Sequence, residues 1–209
     1  MRPYIIATTL LLFSTFSFAQ VVNRLSDETA EQFVKRFTPE NSVLTHKVIK
    51  TTWDLKPAVI AFYDQTYKLP IKNDPDQQEF HRIIAAIFIK NNNQQYSKII
   101  VDTIDSEGGD PKIESVFFAN ADKDLKKELV IISSWKQRHL DVNGTLYGTF
   151  IYDNISRNDQ TKLSLLKNLS SRLSGGCECD WSDGTHKTAK FKTAADIKEE
   201  LKRLGYKYL

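Results

Sequence analysis

Seven runs of β-branched and aromatic residues, each bounded by turn formers, set the tightest limit on what this chain can fold into. They cover residues 43–53, 58–63, 82–90, 96–104, 112–119, 128–135 and 146–152. The connections are short and polar: Asn91 to Gln95, Gly108-Gly109-Asp110-Pro111 and Asn143-Gly144. Short strands joined by short turns favour antiparallel pairing over parallel βαβ units. Leu129, Val130, Ile131 and Ile132 are apolar on both faces of a strand, so that strand must be interior and covered on both sides.

Helical spacing occurs only near the ends. Ala30, Phe33, Val34 and Phe37 repeat at i, i+3, i+4 and i+7 after Ser26, and Pro39 stops the run. Leu166, Leu169 and Leu173 lead to Gly175-Gly176. Ala194, Ile197, Leu201 and Leu204 share a face, with Thr193 and Asp196 as a capping-box-like pair and Gly205 as the stop. The order of helix, strands, then helices predicts an α+β fold. It would be an antiparallel β-meander of six to seven strands, with an N-terminal helix and C-terminal helices packed on it.

Residues 1–19 read as a cleavable signal peptide. Arg2 supplies the positive charge, residues 5–13 the apolar stretch, and Ser17 and Ala19 the small positions read by a signal peptidase. That stretch is shorter than the roughly 20 residues a membrane-spanning helix needs. Cleavage after Ala19 leaves residues 20–209 as a single α+β domain, exported and soluble, secreted or periplasmic, with no transmembrane segment. The formal charge of +3 is too small to argue for nucleic acid. Two cysteines exclude a disulfide-built scaffold.

The sharpest local pattern is Asn120-Ala-Asp122-Lys-Asp124-Leu-Lys126-Lys-Glu128. Oxygen side chains recur at every second position, and a carboxylate follows four residues after the third. Calcium needs such a set, because it takes six or more hard oxygen ligands gathered by a tight loop. Asn120, Asp122, Asp124 and Glu128 would supply side chains, and Lys126 its backbone carbonyl. The alternative is a polar hairpin turn with solvated charges. The loop resembles the D-x-[DN]-x-D-G-x-x-[DE]-L loop of FG-GAP and VCBS-type β-repeats, which implies calcium as a cofactor. It occurs once, so it implies no propeller. Leu125 stands where that pattern has glycine, and Lys123, Lys126 and Lys127 oppose a cation, both of which point to weak affinity. The chain as a whole resembles secreted proteins of Bacteroidetes-type bacteria, which bears on compartment rather than activity.

A second cluster is Cys177-Glu-Cys179, with His186 beyond. The thiols could close a disulfide, act as a redox pair, or hold a soft metal together with His186. His139 and Asp141 could act as a base and its orienting acid in a hydrolase, with Arg138 beside them. No nucleophile elbow, zincin, P-loop or dinucleotide fingerprint is present. The sequence therefore favours a non-enzymatic binding or interaction domain whose partner is a protein or envelope component. The rivals are a thiol-redox or soft-metal protein using Cys177 and Cys179, and a hydrolase using His139 and Asp141.

Overall fold

A computed structural model describes residues 20–68, 78–124, 126–155 and 163–206. The predicted signal peptide and Leu125 lie outside the described residues. The first sheet holds β1 (Gln20–Asn23), β2 (Ser42–Leu44), β3 (Ile49–Trp53), β4 (Lys56–Lys68), β5 (Glu79–Asn92) and β6 (Gln95–Ile104). Its order is β1-β6-β5-β4, with β2 and β3 side by side along β4. The second sheet holds β7 (Pro111–Ala119), β8 (Glu128–Arg138), β9 (Val142–Ile155), β10 (Leu163–Leu165), β11 (Gly176–Trp181) and β12 (His186–Lys187). Its order is β12-β11-β9-β8-β7, with β10 also on β9. The described residues also form three short helices: α1 (Ala30–Lys35), α2 (Lys167–Leu173) and α3 (Ala194–Arg203).

This corrects the α+β meander. The protein is mostly β, with 55% strand against 14% helix, in two antiparallel sheets of about six strands each. The physical reason lies in the two-faced strands. On β4, Ala58, Ile60 and Phe62 face the other sheet while Val59, Ala61 and Tyr63 face outward, and all six are buried. On β5, Ile83, Ala85 and Ile87 face inward and Ile84, Ala86 and Phe88 outward. Three helices of 6, 7 and 10 residues cannot cover both faces of such strands. The second sheet covers one face and helices the other.

The result is four layers. The central core joins the inner faces of both sheets, with Ile60, Phe62 and Ile87 from one and Leu129, Ile131 and Trp135 from the other. Phe33 and Val34 of α1 cover the outer face of the first sheet. Leu173 of α2 and Ile197 and Leu201 of α3 cover Val130, Ile132 and Ile151 on the second. Leu129 to Ile132 are fully buried, as their pattern requires.

Local details also shift. Residues 43–53 divide into β2 and β3 rather than forming one strand. Asn143-Gly144 lies inside β9, paired with Arg138 and Gln137, and the turn falls at residues 139–141. Gly144 answers to a close approach instead: a Cβ there would meet the Glu178 carbonyl oxygen at 2.2 Å. The α1 cap is Thr29, in a capping box with Gln32, rather than Ser26. At α3, Thr193 and Asp196 do form a capping box. Gly205 (φ +89°) and Tyr206 donate to Lys202 and Leu201, a Schellman stop.

Candidate functional site: an acidic loop between β7 and β8

Residues 120–124 leave β7 and residues 126–127 lead into β8, and side-chain contacts shape both segments. The Asp124 N–H donates to Asp122 Oδ1 at 2.7 Å. The Lys126 N–H donates to Asp124 Oδ1 at 2.6 Å. Such Asx contacts fold the chain back locally. Asn120 Nδ2 donates to the Asp124 carbonyl at 2.7 Å, which ties the start of the loop to its middle. Glu128 accepts from the Ala121 N–H.

The pairing of β8 with β9 adds a residue the linear pattern did not contain. Leu129 lies opposite Tyr152, so Asp153 sits one position further, level with the loop. Carboxylate oxygens of Asp122, Asp124 and Asp153 lie within 4.8 Å of one another. Among the described residues this is the only such group of three or more His, Cys, Asp or Glu side chains. The signal for Asp153 was its place at the end of the predicted strand 146–152, readable only with the β8–β9 register.

Glu128 does not belong to that group of three carboxylates; it and Asn120, at the two ends of the loop, are buried. Asn120 is 7% exposed and Glu128 0%. Asn120 Oδ1 and Glu128 Oε1 have no hydrogen-bond partner, and neither do the hydroxyls of Ser133 and Thr149. Leaving a buried polar group unpaired costs about 1–3 kcal/mol, and more for a charged one. Burial pushes the Glu128 carboxyl up to about 7; the Ala121 N–H opposes this, and the charges of Asp122 and Asp124 add to it. Burial also raises Asp122, as do the charges of Asp124 and Asp153. The loop thus gathers hard oxygens that repel one another, an arrangement a divalent cation relieves. The Lys126 ammonium, which the sequence set against a cation, pairs with Asp54 at 3.0 Å.

The other nominated residues are arranged differently. Cys177 and Cys179 form a close pair on β11, joined as a disulfide with Cα atoms 5.3 Å apart. His186 does not join them. It lies opposite Asp180 in the β11–β12 ladder, and its Nδ1 is 2.7 Å from Asp180 Oδ1. Alternation along β11 puts Asp180 on the face away from Cys179. His139 and Asp141 flank Leu140 in the exposed β8–β9 turn. Among the described residues, neither side chain has a hydrogen-bond partner, so they form no dyad.

The structure instead places a histidine beside an aspartate where the sequence gave no sign of one. His81 Nδ1 on β5 lies 2.9 Å from Asp64 Oδ1 on β4. The hydrogen bond to Asp64 raises the His81 pKa; burial opposes this, and Asp110 and Glu79 add to the rise. The nearby Ser106 hydroxyl donates to the His81 backbone carbonyl at 2.5 Å, not to the ring, so no relay is assembled. No helix among the described residues is long and apolar enough to cross a membrane. No protein-family model, curated protein or solved structure matches the chain.

Proposed function

We propose that this protein is an exported binding module of the cell envelope whose β7–β8 loop, together with Asp153, holds a calcium ion. One observation carries the calcium reading: three carboxylates, two from the β7–β8 loop and one from β9, lie within 4.8 Å of one another, and Asn120 and Glu128 at the two ends of the loop each bury a side-chain oxygen that has no partner among the described residues. Asp122, Asp124 and Asp153 would be the charged ligands, with Asn120, Glu128 and the Lys126 carbonyl completing an oxygen set of the number calcium takes. Export rests on the signal-like residues 1–19, and the binding role on the absence of an assembled catalytic group at His139 and Asp141.

Thermal melts in millimolar calcium and in chelator test the ion. Binding to the native state alone stabilises by about 2.7 kcal/mol at a hundredfold excess over Kd. For a chain of this size that raises Tm by roughly 5–10 °C. Asp122→Ala should abolish the shift and Asp153→Asn should reduce it. Identical melts at every calcium level would overturn the reading. Intact mass of the protein from its host tests export, with Gln20 expected as the first residue.

A further inference from the structure

Cys177 and Cys179 are joined across a single residue of β11. Residues two apart on a strand share a face, and regular extension sets their Cα atoms about 6.4–6.8 Å apart. Here the separation is 5.3 Å, so closing the bond draws the strand in by about 1 Å. The rest of β11 keeps its register: it pairs with β9 residue for residue, from Gly176 opposite Tyr147 to Trp181 opposite Val142. The ladder holds the strand in place, and it favours the extension that the cross-link opposes. A disulfide within one strand also joins no distant parts of the chain, so it removes little entropy from the unfolded state. Bonds that work against their surroundings and stabilise little are the labile, exchanging ones rather than the structural ones.

The two sulfurs are not equivalent. Cys179 is 1% exposed, and its sulfur lies so close to β9 that a Cβ at Gly144 would come within 2.7 Å of it. Trp181 lies on the same face two residues beyond. Lys187, opposite Cys179 in the β11–β12 ladder, sets its ammonium 5.1 Å from the centre of the Trp181 ring. Cys177 is only half-buried. Gly175 and Gly176 precede it and offer no side chain to screen it, and a Cβ at Gly176 would meet nothing within 4 Å. A thiolate that attacks the bond therefore reaches Cys177, and Cys179 is the sulfur that leaves.

We propose that the Cys177–Cys179 disulfide is a thiol-exchange site that oxidises a peptide dithiol. One client thiolate attacks Cys177 Sγ, forming a client–Cys177 bond as the Cys177–Cys179 bond breaks. The electron pair of the broken bond goes to Cys179, which takes up the proton the client thiol released. The second client thiolate then attacks the client sulfur of this mixed disulfide, and Cys177 departs with the electron pair and the second proton. The client gains a disulfide, the protein becomes a dithiol, and two electrons and two protons have passed between them. The exchange breaks no backbone bond of the β9–β11 ladder, so it needs no unfolding. It is independent of the calcium reading, which concerns the other end of β8 and β9.

The test mixes the oxidised protein with an equal amount of a reduced, unstructured two-cysteine peptide under argon, with acid quenching and mass measurement. At equilibrium about half of the protein or more should be dithiol, with one peptide disulfide formed for each. The circular dichroism of the sheet should not change. In a second arm reduced glutathione, which has a single thiol, replaces the peptide. Fragment mapping of the quenched protein should place glutathione on Cys177 about tenfold more often than on Cys179, because attack follows access. Both arms use the parent chain, so no variant has to fold. A protein disulfide that survives about a tenfold excess of peptide overturns the proposal, since a structural bond resists such a pool. Transfer that occurs only in denaturant, or a melting transition lost on reduction, makes the bond structural and overturns it equally. Glutathione found mainly on Cys179 overturns the direction of attack and the exchange mechanism with it.

Discussion

The β7–β8 loop and strand β11 both crowd ligand-type side chains into a few residues, and they satisfy them in opposite ways. On β11 and its neighbours the groups answer one another. Cys177 bonds Cys179, His186 pairs with Asp180, and Glu178 pairs with Lys192. In the loop the acids face each other. Asp122, Asp124 and Asp153 converge, and Asn120 and Glu128 keep buried oxygens without partners. A cluster that closes on itself has little left to offer a ligand. One that folding leaves incomplete is held together at a cost that an ion can offset.

The largest expected effect separates the two regions by pH. In chelator, folded Glu128 titrates at about 7, against an ordinary value of 4.5. Between those values the folded protein keeps a proton that the unfolded chain has released. The Glu128 contribution to stability is therefore full below pH 4.5 and is lost as pH rises through 7, about 3 kcal/mol in all. Glu128→Gln should abolish this component, so the variant melts above the parent at pH 8 in chelator and close to it at pH 4. Taking the difference between parent and variant cancels the acid-side losses from Glu28, Glu114 and Asp196, whose pKa values are lowered. Calcium at pH 8 should narrow the gap. A parent and variant with parallel pH profiles would mean that Glu128 is not strained by the loop.

A second test strikes the strand. Gly144→Ala would push a methyl into the Glu178 carbonyl at 2.2 Å and the Cys179 sulfur at 2.7 Å. Backbone cannot yield as a side-chain end does, so β11 must shift from β9 at a cost of about 2 kcal/mol. Urea denaturation reads the loss. Calcium affinity should not change, because the loop lies elsewhere along β9. If affinity falls with stability, the two regions are not independent.

What the sequence showed and what it hid divide along the same physical line. Local signals were readable. The apolar run at Leu129 to Ile132, the α3 capping box and the oxygen spacing of Asn120, Asp122 and Asp124 each depend on neighbours in the chain. Long-range pairings were not. That two sheets rather than one meander bury the strands follows from the alternation in β4 and β5, where both faces are apolar, but which surface covers each face is a tertiary fact. Asp153 needed the β8–β9 register. Asn143-Gly144 has the composition of a turn, yet Gly144 is there because β11 passes too close for a Cβ.

A third test asks how much the cysteine pair holds. The cross-link closes a ring of only three residues, and loop closure on that scale is worth about 1.6 kcal/mol. Both cysteines are already held by pairing along β9. Reduction should therefore lower Tm by only a few degrees and leave the circular dichroism of the sheet unchanged. Thiol labelling of unreduced protein should find no free sulfhydryl, since neither cysteine is free. Unfolding on reduction would make this strand, not the loop, the critical element of the second sheet.

The smallest effect is expected at Asp180. Its pair with His186 has good geometry, with 2.7 Å between Nδ1 and Oδ1, but both side chains are more than half exposed. Exposed pairs trade attraction for solvation and side-chain entropy, and many contribute nothing measurable. Asp180→Asn should leave Tm, urea midpoint and calcium affinity unchanged at pH 6 and at pH 8. A drop in Tm would show that the pair braces β12 against β11. A drop in calcium affinity would mean that the self-satisfied cluster and the incomplete one communicate through the sheet, which the independence of their contacts argues against.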